Sequence, residues 1–157
     1  VLFVISEEFQ KRIDKITECL NQKVVLLTKI VNTTKQIEVQ SKNEDMFLDD
    51  LLVERGSCIE RFNRCNLLVK QQAEMIKADD SSFFEQLTRS LLGEDTGVKE
   101  LTVLTELSRE CSNLYNRSQE INAQAQRNLV EQFESMKTTL RNQRNTESFQ
   151  NGNLFHN

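Results

Sequence analysis

Few side chains in this sequence could make or break bonds, and their spacing argues against such a role. The single histidine is His156, beside the last residue. With no second His there is no Ser-His-Asp, Cys-His or His-rich metal arrangement to assemble. Four cysteines, Cys19, Cys58, Cys65 and Cys111, raise the question of zinc or disulfides. Cys58 and Cys65 stand seven residues apart. On a helix that puts them on one face but separates them by roughly 10 Å of rise. Zinc holds each sulfur at about 2.3 Å, so this pair cannot share an ion. Cys19 and Cys111 fall on the apolar seams of other helices, and all four read as small hydrophobes in a reducing compartment.

Carboxylates cluster at Glu44, Asp45, Asp49, Asp50 and Glu54 with no basic residue among them. Paired carboxylates can hydrolyse glycosides or hold two irons, but di-iron bundles pair Glu-x-x-His motifs that this chain lacks. Acids at the positive end of a helix dipole account for the cluster, with a docking patch for a basic partner as the alternative. Arg55 falls at a stripe position between Leu52 and Ile59. Its guanidinium is expected to snorkel to solvent or to pair with a carboxylate of a neighbouring helix. No acid, base, nucleophile or metal set converges. The chain is therefore expected to be no enzyme and to need no cofactor.

The elements that carry these residues are long helices. Proline is absent and glycine occurs four times, so little interrupts a helix. Ser6 followed by Glu7 and Glu8 marks a helix start. Apolar residues then recur in steps of three and four at Phe9, Ile13, Ile16, Leu20, Val24, Leu27, Val31 and Ile37. Ser41 and Glu44 have capping-box spacing and open a second helix with Leu48, Leu52, Arg55, Ile59, Phe62, Asn66, Val69, Ala73 and Ile76 on one stripe. Ser82 and Glu85 repeat that spacing and open a short helix that Gly93 ends. From about Val98 the longest seam runs through Leu101, Leu104, Cys111, Leu114, Ser118, Ile121, Ala125, Leu129, Phe133, Met136 and Leu140. It is expected to stop near Asn145. Three long helices and one short one, joined by short connections, predict an all-α antiparallel bundle spanning residues 1–145, with a flexible tail over 146–157.

A net charge of −4 and a pI near 5.2 argue against nucleic acid as a partner. No run of 18 apolar residues predicts a membrane span, and the apolar start at residues 1–5 lacks the basic flank of a signal peptide. A cytoplasmic protein is expected.

The stretch from Leu27 to Phe62, with Leu27, Ile30, Thr34, Gln36, Leu48, Leu51, Leu52, Glu54, Arg55 and Ile59, resembles the first hairpin of FlgN/FliT-type flagellar export chaperones. Those proteins carry a polar Thr/Gln turn in helix one and a Leu-Leu-x-x-Arg-x-x-x-Ile pattern in helix two, here Leu51, Leu52, Arg55 and Ile59. Gly56 stands where they have a charged residue or Gln. The stretch from Cys111 to Leu140, with Asn113, Asn116, Asn122 and the seam Leu129, Phe133 and Met136, is similar to the Asn-rich last helix of FlgN, although the strict Asn-x-x-Asn-Gly spacing is missing.

The resemblance implies a chaperone that binds the C-terminal segments of hook-associated or filament-cap proteins. It would keep them monomeric and deliver them to the flagellar type III export apparatus. Length suggests where. Helices one and two, about 35 residues each, would reach roughly 52 Å, and the last helix roughly 72 Å. About a dozen residues of the last helix would then overrun the hairpin and leave Phe133, Met136 and Leu140 bare. Leu129, Phe133, Met136 and Leu140 are accordingly the expected client-binding residues. Tyr115 is a candidate contact for the export gate, with a purely structural role as the alternative. Against this stand a helix that folds back, a second copy of the chain over the stripe, and a structural coiled-coil reading as a spectrin-like spacer or homo-oligomeric scaffold.

Overall fold

The computed structural model describes residues 5–43 and 46–154, with side chains as far as residue 149. The described residues form helices joined by short turns: α1 (Glu7–Gln40), α2 (Asp49–Asp79), α3 (Ser81–Leu91), a single 3-10 turn (Lys99–Leu101) and α4 (Thr102–Leu154).

Local chemistry sets most of these boundaries. Ser6 caps α1, its hydroxyl accepting from the Phe9 N–H at 3.1 Å, as its position predicts. Ser41 does not open the second helix. It ends the first, donating its hydroxyl to the Glu38 carbonyl at 2.6 Å. α2 begins only at Asp49, after Met46–Leu48. Glu44 and Asp45, part of the expected cap and acidic cluster, lie outside the described residues. α3 is capped by Asp80, which accepts from the Phe83 N–H at 3.0 Å, and not by Ser82. Asp80 closes α2 and opens α3 with one extended residue, and that bends the chain sharply. Gly93 terminates the short helix with φ +83°, a conformation that L side chains rarely adopt. A Cβ there would also meet the Arg109 Cγ at 3.0 Å.

α1 is the central element, and it packs against α2 on one side and α4 on the other. Arg12 donates to the Met75 sulfur, Gln22 lies 3.5 Å from the Cys65 thiol, and the Lys23 ammonium sits 5.2 Å from the Phe62 ring centre. Residue numbers thus fall along α2 as they rise along α1. α4 does the opposite. The Cys111 thiol lies 3.9 Å from the Leu20 carbonyl, Asn128 bonds Glu38, and Gln132 bonds Lys42, at separations of 91, 90 and 90 residues. α4 therefore runs alongside α1 in the same direction and in one register. Two packed sides explain why the buried stripe of α1 includes Leu26, Ile30, Thr33 and Thr34 beside the expected seam.

The buried stripe of α2 matches the expected one at Val69, Ala73 and Ile76 and departs from it nearer the start of the helix. It runs through Cys58, Cys65, Val69, Ala73 and Ile76, while Leu52 is exposed. Asn66 is also exposed. The cysteines themselves mark the seam. Cys58, Cys65 and Cys111 pack with Leu26, Leu27 and Ile30, and no cysteine is in a disulfide.

The core thickens toward the α3 end, where Phe9 meets Phe83 edge-to-face at 4.8 Å amid Ile16, Leu20, Ile76, Leu87 and Leu104. Toward the other end small or polar residues join Val31 and Ile37 among the buried positions: Thr33, Thr34, Ser41, Ser118, Ala125 and Asn128. No helix among the described residues is long and apolar enough to cross a membrane.

Candidate functional site

The site lies at that second end, where α1 stops and α4 does not. Asn128 is the last buried polar clamp of the bundle. It is 6% exposed. Its side-chain amide donates toward the Ser41 hydroxyl at 3.1 Å and toward the Glu38 carbonyl and carboxylate at 3.3 Å each. Its own carbonyl accepts from Gln124 at 2.9 Å. Glu38 is in turn paired with Lys42 at 3.0 Å. That hydrogen bond from Lys42 foremost, with the one from Asn128, holds the Glu38 carboxyl below its ordinary range. One turn on, Gln132 donates to the Lys42 carbonyl at 3.0 Å.

Beyond Gln132 every described side chain of α4 is exposed. The helix nevertheless continues unbroken to Leu154, past the expected end at Asn145. The overhang is therefore 22 residues (154 − 132), or about 33 Å of rise, longer than length alone suggested. It neither breaks nor folds back among the described residues.

Leu129 is half-buried where the seam leaves the bundle. Phe133, Met136 and Leu140 follow at 58%, 56% and 54% exposure. Met46, from the α1–α2 connection, joins Leu129, Val130, Phe133 and Met136 to line a shallow apolar depression. Met46 and Val130 are additions that the seam pattern did not pick out. The expected client-binding residues thus share one stripe that begins inside the bundle and emerges from it. Tyr115 is also exposed, on α4 within the bundle. It lies 18 residues before Phe133, about 27 Å away along the helix, so it belongs to a separate patch.

Asp49 and Asp50 occupy the first turn of α2, where the helix dipole favours them. Arg55 is half-buried on α2. Its Nε has no hydrogen-bond partner, and no described carboxylate pairs with the guanidinium, so of the two expected outcomes the ion pair is not the one formed. Among the described residues no group of three or more His, Cys, Asp or Glu side chains could hold a metal ion. Burial pushes the Cys111 and Cys19 thiols up, away from the thiolate that nucleophilic chemistry needs.

No protein-family model, curated protein or solved structure matches the chain.

Proposed function

We propose that this chain is a non-enzymatic, cytoplasmic holder of another protein, with its three long helices in a bundle in which α2 runs antiparallel to α1 and α4. More specifically, it is an export chaperone of the FlgN/FliT type. It binds the C-terminal helical segment of a hook-associated or filament-cap protein, keeps that client monomeric and passes it to the export apparatus. The observation that carries the reading is the seam of Leu129, Phe133, Met136 and Leu140, which leaves the bundle core and continues bare along an unsupported helix. A bare apolar stripe on a helix suits an amphipathic partner helix, which buries its own apolar face in the exchange.

The test replaces Phe133, Met136 and Leu140 with Ser together. Melting temperature and affinity for C-terminal peptides of hook-associated and cap proteins are measured side by side. Each side chain is more than half exposed, so melting should shift by only a few degrees while binding is lost. Unchanged binding, or wholesale unfolding, removes these residues as the docking face. Failure of the unmutated protein to bind any such peptide at about 100 μM, a free energy near −5.5 kcal/mol, rejects the chaperone assignment.

A further inference from the structure

The edges of the bare seam carry more information than its apolar centre, and they point to the chemistry of the occupant. A helix laid along a three-four seam touches the residues that flank it on either side. On one side of Phe133, Met136 and Leu140 the flanking positions are Lys137 and Arg144. On the other they are Gln132, Thr139 and Thr146. One edge is therefore basic and the other uncharged. Lys137 and Arg144 are exposed, and neither has a carboxylate partner among the described residues. The Lys137 ammonium lies 5.1 Å from the centre of the Phe133 ring, at the lip of the seam.

We infer that the helix seated on this seam is supplied by another protein and carries acidic side chains along the edge facing Lys137 and Arg144. The inference rests on the reading of the seam as a peptide seat. Self-pairing is disfavoured in both directions. In an antiparallel pair of overhangs the basic edges would face each other. In a parallel pair Glu147, seven residues after Leu140 and so on the seam itself, would oppose its own copy, while the basic edge would meet only Gln and Thr. A heterologous helix with Glu or Asp on one flank meets neither obstacle. It also gains two ion pairs that fix its register.

The probes are two synthetic amphipathic helices of about three heptads with the same Leu seam, one flanked throughout by Glu and the other by Lys. Each is titrated into the full chain and into K137E/R144E, with K137Q/R144Q as a milder variant and melting curves as the folding check. The unmutated chain should prefer the Glu-flanked helix by about three- to tenfold, as two exposed ion pairs allow. The preference should shrink in K137Q/R144Q and at high salt, and reverse in K137E/R144E. Equal affinity for the two helices overturns the charge inference and leaves the peptide seat standing. Binding of neither overturns both. A dimer of the 18.3 kDa chain at micromolar concentration that F133S/M136S/L140S dissolves identifies a second copy as the occupant, and overturns the inference.

Discussion

Asn128 should behave as a clamp whose loss is felt along the whole end of the bundle. Its two amide protons serve three acceptors, the Ser41 hydroxyl, the Glu38 carbonyl and the Glu38 carboxylate, at 3.1 to 3.3 Å. Two net hydrogen bonds at about 1 kcal/mol each predict that Asn128→Ala destabilises by about 2 kcal/mol. Ser41 is fully buried, so its hydroxyl cannot turn to solvent for compensation. For a chain of this size 1 kcal/mol shifts the melting temperature by about 2–4 °C, so the expected drop is about 4–8 °C. A double-mutant cycle with Ser41→Ala isolates the direct contact, with a coupling of about 1 kcal/mol expected from paired urea melts. Asn128→Asp should cost more, because it sets a carboxylate against Glu38 and removes both donors. A change below about 0.5 kcal/mol in Asn128→Ala, or additive single mutants, would show that α1 and α4 are held here by packing alone.

Three further outcomes follow from single residues. Gly56 lies within α2 with nothing inside 4 Å of an added Cβ, so Gly56→Ala should stabilise by about 0.5–1 kcal/mol in chemical denaturation. The Glu38 carboxyl is held below its ordinary value of 4.5, so its stabilising contribution is present above that value and lost as the pH falls through the lower folded value. Melting temperature should therefore drop on acidification below about 4.5, and Lys42→Gln, which removes the main cause, should flatten that part of the profile. Iodoacetamide labelling read by mass spectrometry should modify half-buried Cys19 first and Cys58, Cys65 and Cys111 only on unfolding. Rapid labelling of Cys111 in the folded chain would contradict its burial beside Leu20.

The parts of the fold legible in the sequence are those where one local signal had no rival. Ser6 with its acids, the seam from Phe9 to Ile37, and Gly93 after the short helix each had a single reading, and each holds. Where residues offered two readings, tertiary packing decided. Leu51, Leu52 and Val53 are consecutive apolars that permit two registers. The expected stripe holds at Val69, Ala73 and Ile76, but nearer the start of the helix Cys58 and Cys65 take the buried places and Leu52 and Asn66 stay outside. Ser41 and Asp80 are both capping residue types, but sequence does not say which helix end each will serve. The expected end near Asn145 falls short of the observed one because the residues from Thr146 are Asn-rich and carry no apolar period. Glu147, Gln150 and Leu154, good helix formers, lie in the stretch over which the helix continues. Of the candidate site, the seam residues were visible from their spacing. Asn128 was not, because an Asn one position before Leu129 looks like surface until Ser41 and Glu38 arrive from 87 and 90 residues away.

That long offset between α1 and α4 also governs the order of events at the ribosome. The α1 side that α2 covers finds its partner soon, across the short connection after Gln40. The side that α4 covers must wait for residues about 90 positions later, since Glu38 and Lys42 meet Asn128 and Gln132. At about 5–20 residues per second, each such position on α1 stays uncovered for roughly 5–18 s of synthesis. A loop of that length also raises the entropy of closure, so docking of α4 should be the slow step, following a fast α1–α2 hairpin. The nascent chain thus spends its early life with Leu26, Leu27 and Ile30 incompletely covered, itself a ready substrate for the cell's general chaperones.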